Sequence, residues 1–171
     1  MTEDHSLLYR FNLEYLDRNT FQDFVSENRI FLTPSVTWRP SDDTELNFTF
    51  EYRNQEQVSS GSFPALDNRP AAVPISRSFT GPGLNGGYDI YAFYLKGSHK
   101  FNEHLTLRMG GSAWIGDYKY GFFGFNTVDH VNRQVLRGVL FSDFDERSNY
   151  DAYLDLLGAS TPSVLSIRYY T

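Results

Sequence analysis

Apolar and polar residues alternate with a period of two along much of this chain, and this pattern constrains the fold most. In the segment 45–53, for example, Leu46, Phe48 and Phe50 are separated by the polar residues Asn47 and Thr49. The same alternation occurs in the segments 7–15, 30–39, 91–101 and 105–115. Successive side chains of a strand point to opposite sides, so each segment predicts a strand with one apolar and one polar face.

The two faces of these predicted strands differ sharply in charge. On the apolar face, His99 is the one ionisable residue. The opposite face carries Arg10, Glu14, Arg39, Glu45, Glu51, Arg53, Lys96, Lys100 and Arg108. Two weaker strands follow near 148–157 and 163–171, and no convincing amphipathic helix is present. We therefore predict an all-β chain of about six or seven strands.

The predicted connections alternate between short and long. The segments 40–44 and 102–104 are tight turns, whereas 17–28, 54–89 and 117–147 are long connections. Structureless loops of this length are uncommon in a compact soluble domain, but an outer-membrane β-barrel carries long loops on one side. A tilted strand of about 11 residues also spans roughly 25 Å, the height of a barrel's apolar band. These observations favour an antiparallel, up-and-down transmembrane β-barrel segment.

Two other classes of protein remain open. A soluble β-sandwich or carbohydrate-binding module would use the apolar face as its core and the loops to bind a glycan. A fragment of an outer-membrane porin or adhesin is the third possibility. Pro34 is in tension with every strand assignment, because proline cannot donate a hydrogen bond to a β-ladder.

Composition excludes several functions. The chain has no cysteine, which excludes disulfide scaffolds, zinc fingers and thiol catalysis. Its net charge is −6 without a basic cluster, so nucleic acid is not an expected partner. No apolar run is long enough for a transmembrane helix. Aromatic residues make up 17% of the chain, and many lie near the ends of predicted strands, where an interfacial girdle is expected.

Residues 29–46 read RIFLTPSVTWRPSDDTEL. This segment resembles an early strand and turn in the barrel of the TonB-dependent siderophore receptors of the Gram-negative outer membrane. The preceding SLLYRFNLEYLDRNTFQDFV and the later PALDNRPAAVPISR, with Asn68-Arg69-Pro70, resemble the adjoining strand and loops. The resemblance runs from about Ser6 to Leu157, and the tail after Gly158 departs from it.

This resemblance implies a location in the outer membrane and a role in taking up ferric-siderophore complexes. Outer-membrane lipid, the ferric siderophore and the TonB complex are the implied partners, and no cofactor is expected. Family members also have a signal peptide, a TonB box, a plug domain and a barrel of about 22 strands. None of the first three is recognisable here, so we expect residues 1–171 to be a partial barrel without its plug.

The resemblance places ligand contacts on the extracellular side, where aromatic and cationic side chains suit an anionic chelate. The candidate residues in the two long loops are Phe63, Arg69, Arg77, Tyr118, Tyr120, Phe122, Phe123 and Phe125. The simpler interpretation is that these aromatic residues form the girdle and that the arginines are solvated. The four histidines lack metal-ligand spacing, and no Ser–His pairing is recognisable, so we predict neither a metal site nor catalysis.

Overall fold

The chain is all-β in the computed structural model, which describes residues 6–60, 63–66, 69–70 and 72–158. Its strands are β1 (Leu7–Asn19), β2 (Ser26–Ser41), β3 (Thr44–Val58), β4 (Ala65–Leu66), β5 (Arg69–Pro70), β6 (Gly86–Asn102), β7 (Leu105–Asp129) and β8 (Gln134–Gly158). No helix occurs in the described ranges, so none there is long and apolar enough to cross a membrane.

Six strands form one open antiparallel sheet in the order β1-β2-β3-β6-β7-β8, and β4 pairs with β5 in a separate two-stranded sheet. The large sheet is of the up-and-down type, because each of its strands pairs with the next long strand along the chain. The predicted fold class is therefore confirmed, and the large sheet contains six of the predicted strands. The strand predicted near 163–171 lies outside the described residues.

The pairing register places the apolar residues of all six strands on the same side of the sheet. One row across the sheet shows this: Phe11 pairs with Pro34, Phe50 with Phe93, Phe93 with Ala113, and Ala113 with Tyr150. A shift of one residue in any pair would turn a strand's apolar side chains to the polar side. The predicted division into an apolar face and a polar face is confirmed.

The apolar face is exposed rather than packed into a core. Tyr9 is 72% exposed, Phe11 64% and Leu154 64%, and Val58, Ile90 and Ala92 are the buried hydrophobic residues of the described chain. In the described residues no second sheet covers this face, as the core of a β-sandwich requires. The structure therefore disfavours the sandwich alternative.

Pro34 lies inside a central strand, and the ladder accommodates it locally. The β2–β3 pairing is interrupted at Thr33 and Pro34 and resumes where Ser35 opposes Thr49. On its other side, Pro34 still opposes Phe11 of β1. Proline lacks an N–H, and it lies where the β2–β3 ladder has no pair. A proline at this position is therefore compatible with a strand.

The two ends of the sheet differ in their connections. At one end, two-residue turns at 42–43 and 103–104 join β2 to β3 and β6 to β7. The opposite end carries the loop 20–25 and the loop 59–85, which contains β4 and β5. We call this end of the sheet the long-loop end and the loop 59–85 the central loop. The predicted short turns are confirmed, and the predicted long loop 54–89 is present as the loop 59–85. The predicted long connection 17–28 is wrong, because β1 and β2 extend into it and leave only the loop 20–25.

The predicted long connection over 117–147 is wrong. Residues 105–129 and 134–158 are continuous paired strands, joined by a four-residue turn at 130–133. Antiparallel pairing between β7 and β8 satisfies the backbone groups of this region, including those of its glycines. The pairing register shifts between Gly116 and Tyr118 and again between Phe125 and Thr127. Such bulges accommodate a strand in which apolar and polar residues do not alternate regularly.

Candidate functional site

Three aromatic side chains form a contiguous surface on the polar face, toward the long-loop end. The ring centroids of Trp114 and Tyr118 are 5.8 Å apart, and those of Tyr118 and Tyr88 are 6.0 Å apart. We call these three residues the aromatic platform. Trp114 and Tyr118 share a face because they are separated by four positions in β7, and Tyr88 lies directly opposite Tyr118 in β6.

Small and buried residues lie beside the platform. Ile90 is 7% exposed and Ala92 is fully buried, and both lie on the polar face of β6 next to Tyr88. Gly116 separates Trp114 from Tyr118 on the same face of β7, and a Cβ there would be 3.0 Å from Ile90 Cγ1. A larger residue at position 116 would collide with Ile90. Because glycine has no side chain, nothing protrudes from the sheet between the rings of Trp114 and Tyr118.

Two arginines lie on opposite sides of the platform. Arg53, Ile90, Gly116 and Arg147 form one row across β3, β6, β7 and β8. The guanidinium of Arg147 lies over the Tyr118 ring, 5.6 Å from its centroid, and that of Arg53 lies 5.0 Å from the Phe31 centroid.

The arginine side chains on the polar face are held by defined contacts. The Arg53 Nε is 2.5 Å from Glu51 Oε1, and Arg29 donates from both Nε and Nη2 to Glu14 Oε1. Arg39 Nε donates to Glu45 Oε2 over 2.8 Å near the short-turn end. These pairs are partly exposed, so each adds little to stability, but they restrict the positions of the guanidinium groups.

The structure brings three of the predicted loop aromatics onto the polar face. Tyr118, Tyr120 and Phe122 alternate along β7, and the rings of Tyr120 and Phe122 are 5.2 Å apart. Phe123 lies on the other side of the strand. Phe125 is in β7, where it pairs with Arg137. All five predicted residues from 118 to 125 are therefore in a strand and not in a loop, as the sequence had suggested.

The three predicted residues of the central loop do not join this surface. Phe63 is 46% exposed and packs edge-on against Phe79 at 5.6 Å. Arg69 is exposed in the short strand β5, and Arg77 is exposed in a turn where its N–H donates to the Pro74 carbonyl. No contact described in the structure links them to the aromatic platform.

The central loop docks onto the opposite side of the β7–β8 hairpin. A Cβ on Gly81 would lie 3.0 Å from Phe123 Cε2, and one on Gly121 would lie 3.0 Å from Leu84 Cγ. The Asp23 N–H donates to the Ser76 carbonyl over 2.8 Å, which also ties the loop to the β1–β2 connection. The loop thus extends across the long-loop end of the sheet.

Sequence reasoning missed Tyr88, Trp114, Arg53 and Arg147 as members of this surface. Part of the signal was present, because Trp114 lies on the polar face of the segment 105–115, and Tyr118, Tyr120 and Phe122 continue that face beyond the segment. Among the residues that the structure describes, no three His, Asp or Glu side chains form a group able to hold a metal ion.

These features define an all-β chain of the up-and-down antiparallel type, consistent with part of a barrel, with aromatic and cationic side chains on its polar face. No protein-family model matches it. The chain is 32% identical over 165 residues to the metal-pseudopaline receptor CntO of Pseudomonas aeruginosa strain PAO1, and 31% identical over 161 residues to the receptor of that name in strain UCBPP-PA14.

Each alignment covers 92% of this chain but 22% of the receptor, so the chain spans about a fifth of the length of these curated relatives. Both relatives are named as receptors and neither as an enzyme. The similarity supports the predicted receptor class in its broad form.

Proposed function

We propose that this chain is a segment of the transmembrane barrel of an outer-membrane receptor that takes up a metal–chelate complex. The observation that carries the proposal is the exposed apolar face, which continues in register across all six strands of the sheet. In water, an exposed apolar patch of this extent is unusual for a monomeric protein. In a lipid bilayer, it is the arrangement by which a barrel strand contacts the hydrocarbon.

The polar face of the sheet also supports the proposal. In a transmembrane barrel the inward side is polar, and here it carries ion pairs, hydrogen-bonded side chains and the aromatic platform. The hydroxyl of Thr49 donates to Ser35 Oγ over 3.0 Å, and Asn47 Nδ2 donates to Thr37 Oγ1 over 2.8 Å. Side chains of this kind are satisfied beside a water-filled lumen and would be costly against lipid.

The proposed ligand class is a metal bound to an organic chelator. The relatives' printed name, metal-pseudopaline receptor, supports a metal chelate as the cargo. The ferric siderophore implied by the sequence resemblance is a narrower case of this class. We also propose that the TonB complex supplies the energy for uptake, through parts of the parent protein other than this sheet.

The ligand contacts proposed here are a revised set. Tyr118, Tyr120 and Phe122 are retained, because all three lie on the polar face and Arg147 lies over the ring of Tyr118. Phe123 has a packing role, because its ring contacts Gly81 and the central loop. Phe63, Arg69 and Arg77 remain candidates for first contact with the ligand outside the membrane.

Cell fractionation combined with uptake assays tests the proposal. The complete protein containing this chain should be recovered in the outer-membrane fraction and require detergent for extraction. A deletion strain should lose accumulation of one isotopically labelled metal chelate, and a plasmid copy should restore it. A monodisperse protein in the aqueous fraction would instead support a soluble module. Membrane location with unaltered uptake of every chelate would support a porin or an adhesin.

A further inference from the structure

The end of the β7–β8 hairpin protrudes beyond the rest of the sheet. The pairing of β6 with β7 ends where Gly87 opposes Lys119, whereas the pairing of β7 with β8 continues to Asp129. Residues 120–129 of β7 therefore extend about 33 Å past the last pair with β6, at roughly 3.3 Å per residue. We call residues 120–142 the protruding hairpin. A two-stranded hairpin is only marginally stable by itself in water, so its position depends on support from other segments.

The central loop supports the protruding hairpin from the apolar side of the sheet. Its contacts are those of Leu84 with Gly121, of Gly81 with the Phe123 ring, and of two loop carbonyls with Arg137. Residues 121, 123 and 137 share one side of the hairpin, because the pairing places position 121 opposite 141, 123 opposite 139 and 125 opposite 137. We call residues 78–84 of the loop the brace.

The brace is a packed segment of the loop. Ser78 is 7% exposed and Thr80 is 5% exposed, and these are the buried polar residues of the described chain. The Thr80 N–H donates to Ser78 Oγ over 3.1 Å, which fixes the backbone next to the carbonyls that accept from Arg137. A segment held in this way can restrain the hairpin that lies against it.

The other side of the protruding hairpin is apolar and exposed. Tyr120 is 52% exposed, Leu136 63% and Leu140 53%. These side chains lie on the same side of the sheet as the aromatic platform, since Tyr120 follows Tyr118 at the next even position and Leu140 opposes Phe122. Burying them against the polar face would be favourable, because it removes apolar surface from water.

A natural bending point lies at the base of the protruding hairpin. The pairing register shifts between Gly116 and Tyr118, where β7 advances by two residues while β8 advances by three, from Arg147 to Phe144. A β-bulge of this kind bends the strands and increases their local twist. The hairpin can therefore change its angle here while the ladder above and below the shift stays paired.

We propose that the protruding hairpin is a lid for the polar face, and that the brace holds it open. Arg137 is the main attachment between the two. When the brace is released, the hairpin bends at the register shift toward the polar face, and Tyr120, Leu136 and Leu140 become buried. This inference goes beyond the proposed function, because it concerns how access to the polar face is controlled and is independent of the identity of the cargo.

The distance between two spin labels on the complete protein tests the proposal. One label is attached at Asn12→Cys on the polar face, and the other at Val131→Cys, which is 90% exposed at the hairpin tip. This chain contains no natural cysteine that would also be labelled. We expect one main distance in the otherwise unaltered protein. In Arg137→Gln, a population shorter by about 10 Å should appear, because an arm of about 33 Å that tilts by roughly 20° moves its tip by this amount.

Matched variants separate release of the brace from loss of charge. Gly81→Val keeps Arg137 but forces a side chain into the Phe123 ring, since even a Cβ at position 81 would be 3.0 Å from it. This variant should show the same shorter population. Arg77→Gln removes an exposed arginine of the same loop and should leave the distance unchanged.

A further variant tests the cause of the bending. Adding Leu136→Ser and Leu140→Ser to Arg137→Gln should restore the long distance, because the apolar surface that drives closure is lost. Unchanged distances in both Arg137→Gln and Gly81→Val would overturn the proposal. So would a broadened distribution without a shorter population, which would mean that the released hairpin is only disordered, or a shorter population in Arg77→Gln.

This experiment fails or succeeds separately from the test of the proposed function. Unchanged label distances in a protein that is located in the outer membrane and restores uptake contradict the lid alone. Recovery in the aqueous fraction contradicts the proposed function, and the same label distances measured on that soluble protein still decide whether the brace holds the hairpin open.

Discussion

The guanidinium of Arg137 lies over the ring of Phe123, 4.8 Å from its centroid. From this position its Nη1 donates to two carbonyls of the central loop, those of Phe79 and Thr80, each over 3.0 Å. One side chain of β8 thus holds a loop that is about 57 residues earlier in the sequence. Because hydrogen bonds to charged groups are stronger than neutral ones, this contact is a principal attachment of the loop to the hairpin.

Removing that attachment should release the loop without unfolding the sheet. We expect Arg137→Ala to increase the rate of proteolytic cleavage within residues 72–85 several-fold, while the thermal unfolding temperature of the sheet changes little. Limited proteolysis followed by mass spectrometry measures the first effect. Arg77→Ala, which removes an exposed arginine of the same loop, is the control. If both variants are cleaved at the wild-type rate, Arg137 does not anchor the loop.

The two faces of the sheet should respond differently to the same added charge. Phe48→Arg places a guanidinium on the apolar face and should destabilise the membrane-inserted complete protein by roughly 2–4 kcal/mol near the midplane. Leu107→Arg should also destabilise the inserted protein, by an amount that depends on how deep residue 107 lies in the bilayer. Thr49→Arg, next to Phe48 but on the polar face, should be much milder. Heat-modifiable mobility in gels and yield in the outer membrane report assembly, and equal losses on both faces would disprove the face assignment.

Gly87 is required by the close approach of two backbones. A Cβ built on this residue would be 2.1 Å from the carbonyl oxygen of Gln55, which as a backbone atom cannot rotate away. We expect Gly87→Ala to cost roughly 1–3 kcal/mol through local overpacking. Gly124→Ala is the matched control, because its Cβ would meet only the Phe122 ring, at 3.6 Å. Chemical denaturation of the complete protein compares the two, and similar midpoints would refute this packing argument.

The turn of the β7–β8 hairpin should depend on pH through Asp129. Hydrogen bonds from the backbone and side chain of Asn132, and from the Val131 N–H, hold the pKa of Asp129 below its ordinary value. A lowered pKa in the folded state means that the ionised carboxylate stabilises the turn above the ordinary pKa near 4. This contribution is lost as the pH falls through the lowered value.

Amide chemical shifts of Val131 and Asn132 should therefore titrate together at a pH below 4. In Asp129→Ala, these two amides should show no such transition and should exchange faster with solvent at neutral pH. A transition at or above the ordinary aspartate pKa in the wild-type protein would show that the turn does not favour the ionised carboxylate.

Alternation in the sequence was sufficient to predict at least part of each strand in the large sheet and the orientation of its side chains. Leu46, Phe48 and Phe50 recur at every second position, and a regular strand allows such residues only one common side. The short turns were also predictable from the sequence, because proline, serine, aspartate and asparagine, which are common in tight turns, occur around 42–43 and 103–104. These are local properties, determined by neighbours in the sequence.

The same reasoning is wrong over 117–147, which the sequence analysis assigns to a long connection. Gly121 and Gly124 have low strand propensity, so local preference alone does not favour a strand there. In the folded chain, β8 opposes these residues along the whole length of β7 and satisfies their backbone groups. Pairing between distant segments outweighed the local preference, and no count of residues within β7 alone reveals that partner.

The sequence by itself determined that this chain forms amphipathic strands with an apolar and a charged side, because those properties depend only on the period of two. Tertiary structure alone decided which side chains meet. The row from Arg53 to Arg147 and the contact of Arg137 with the central loop both depend on the register between strands. Register is set by cooperative pairing of backbone groups far apart in the sequence, and from it follows the arrangement of arginines around Tyr88, Trp114 and Tyr118.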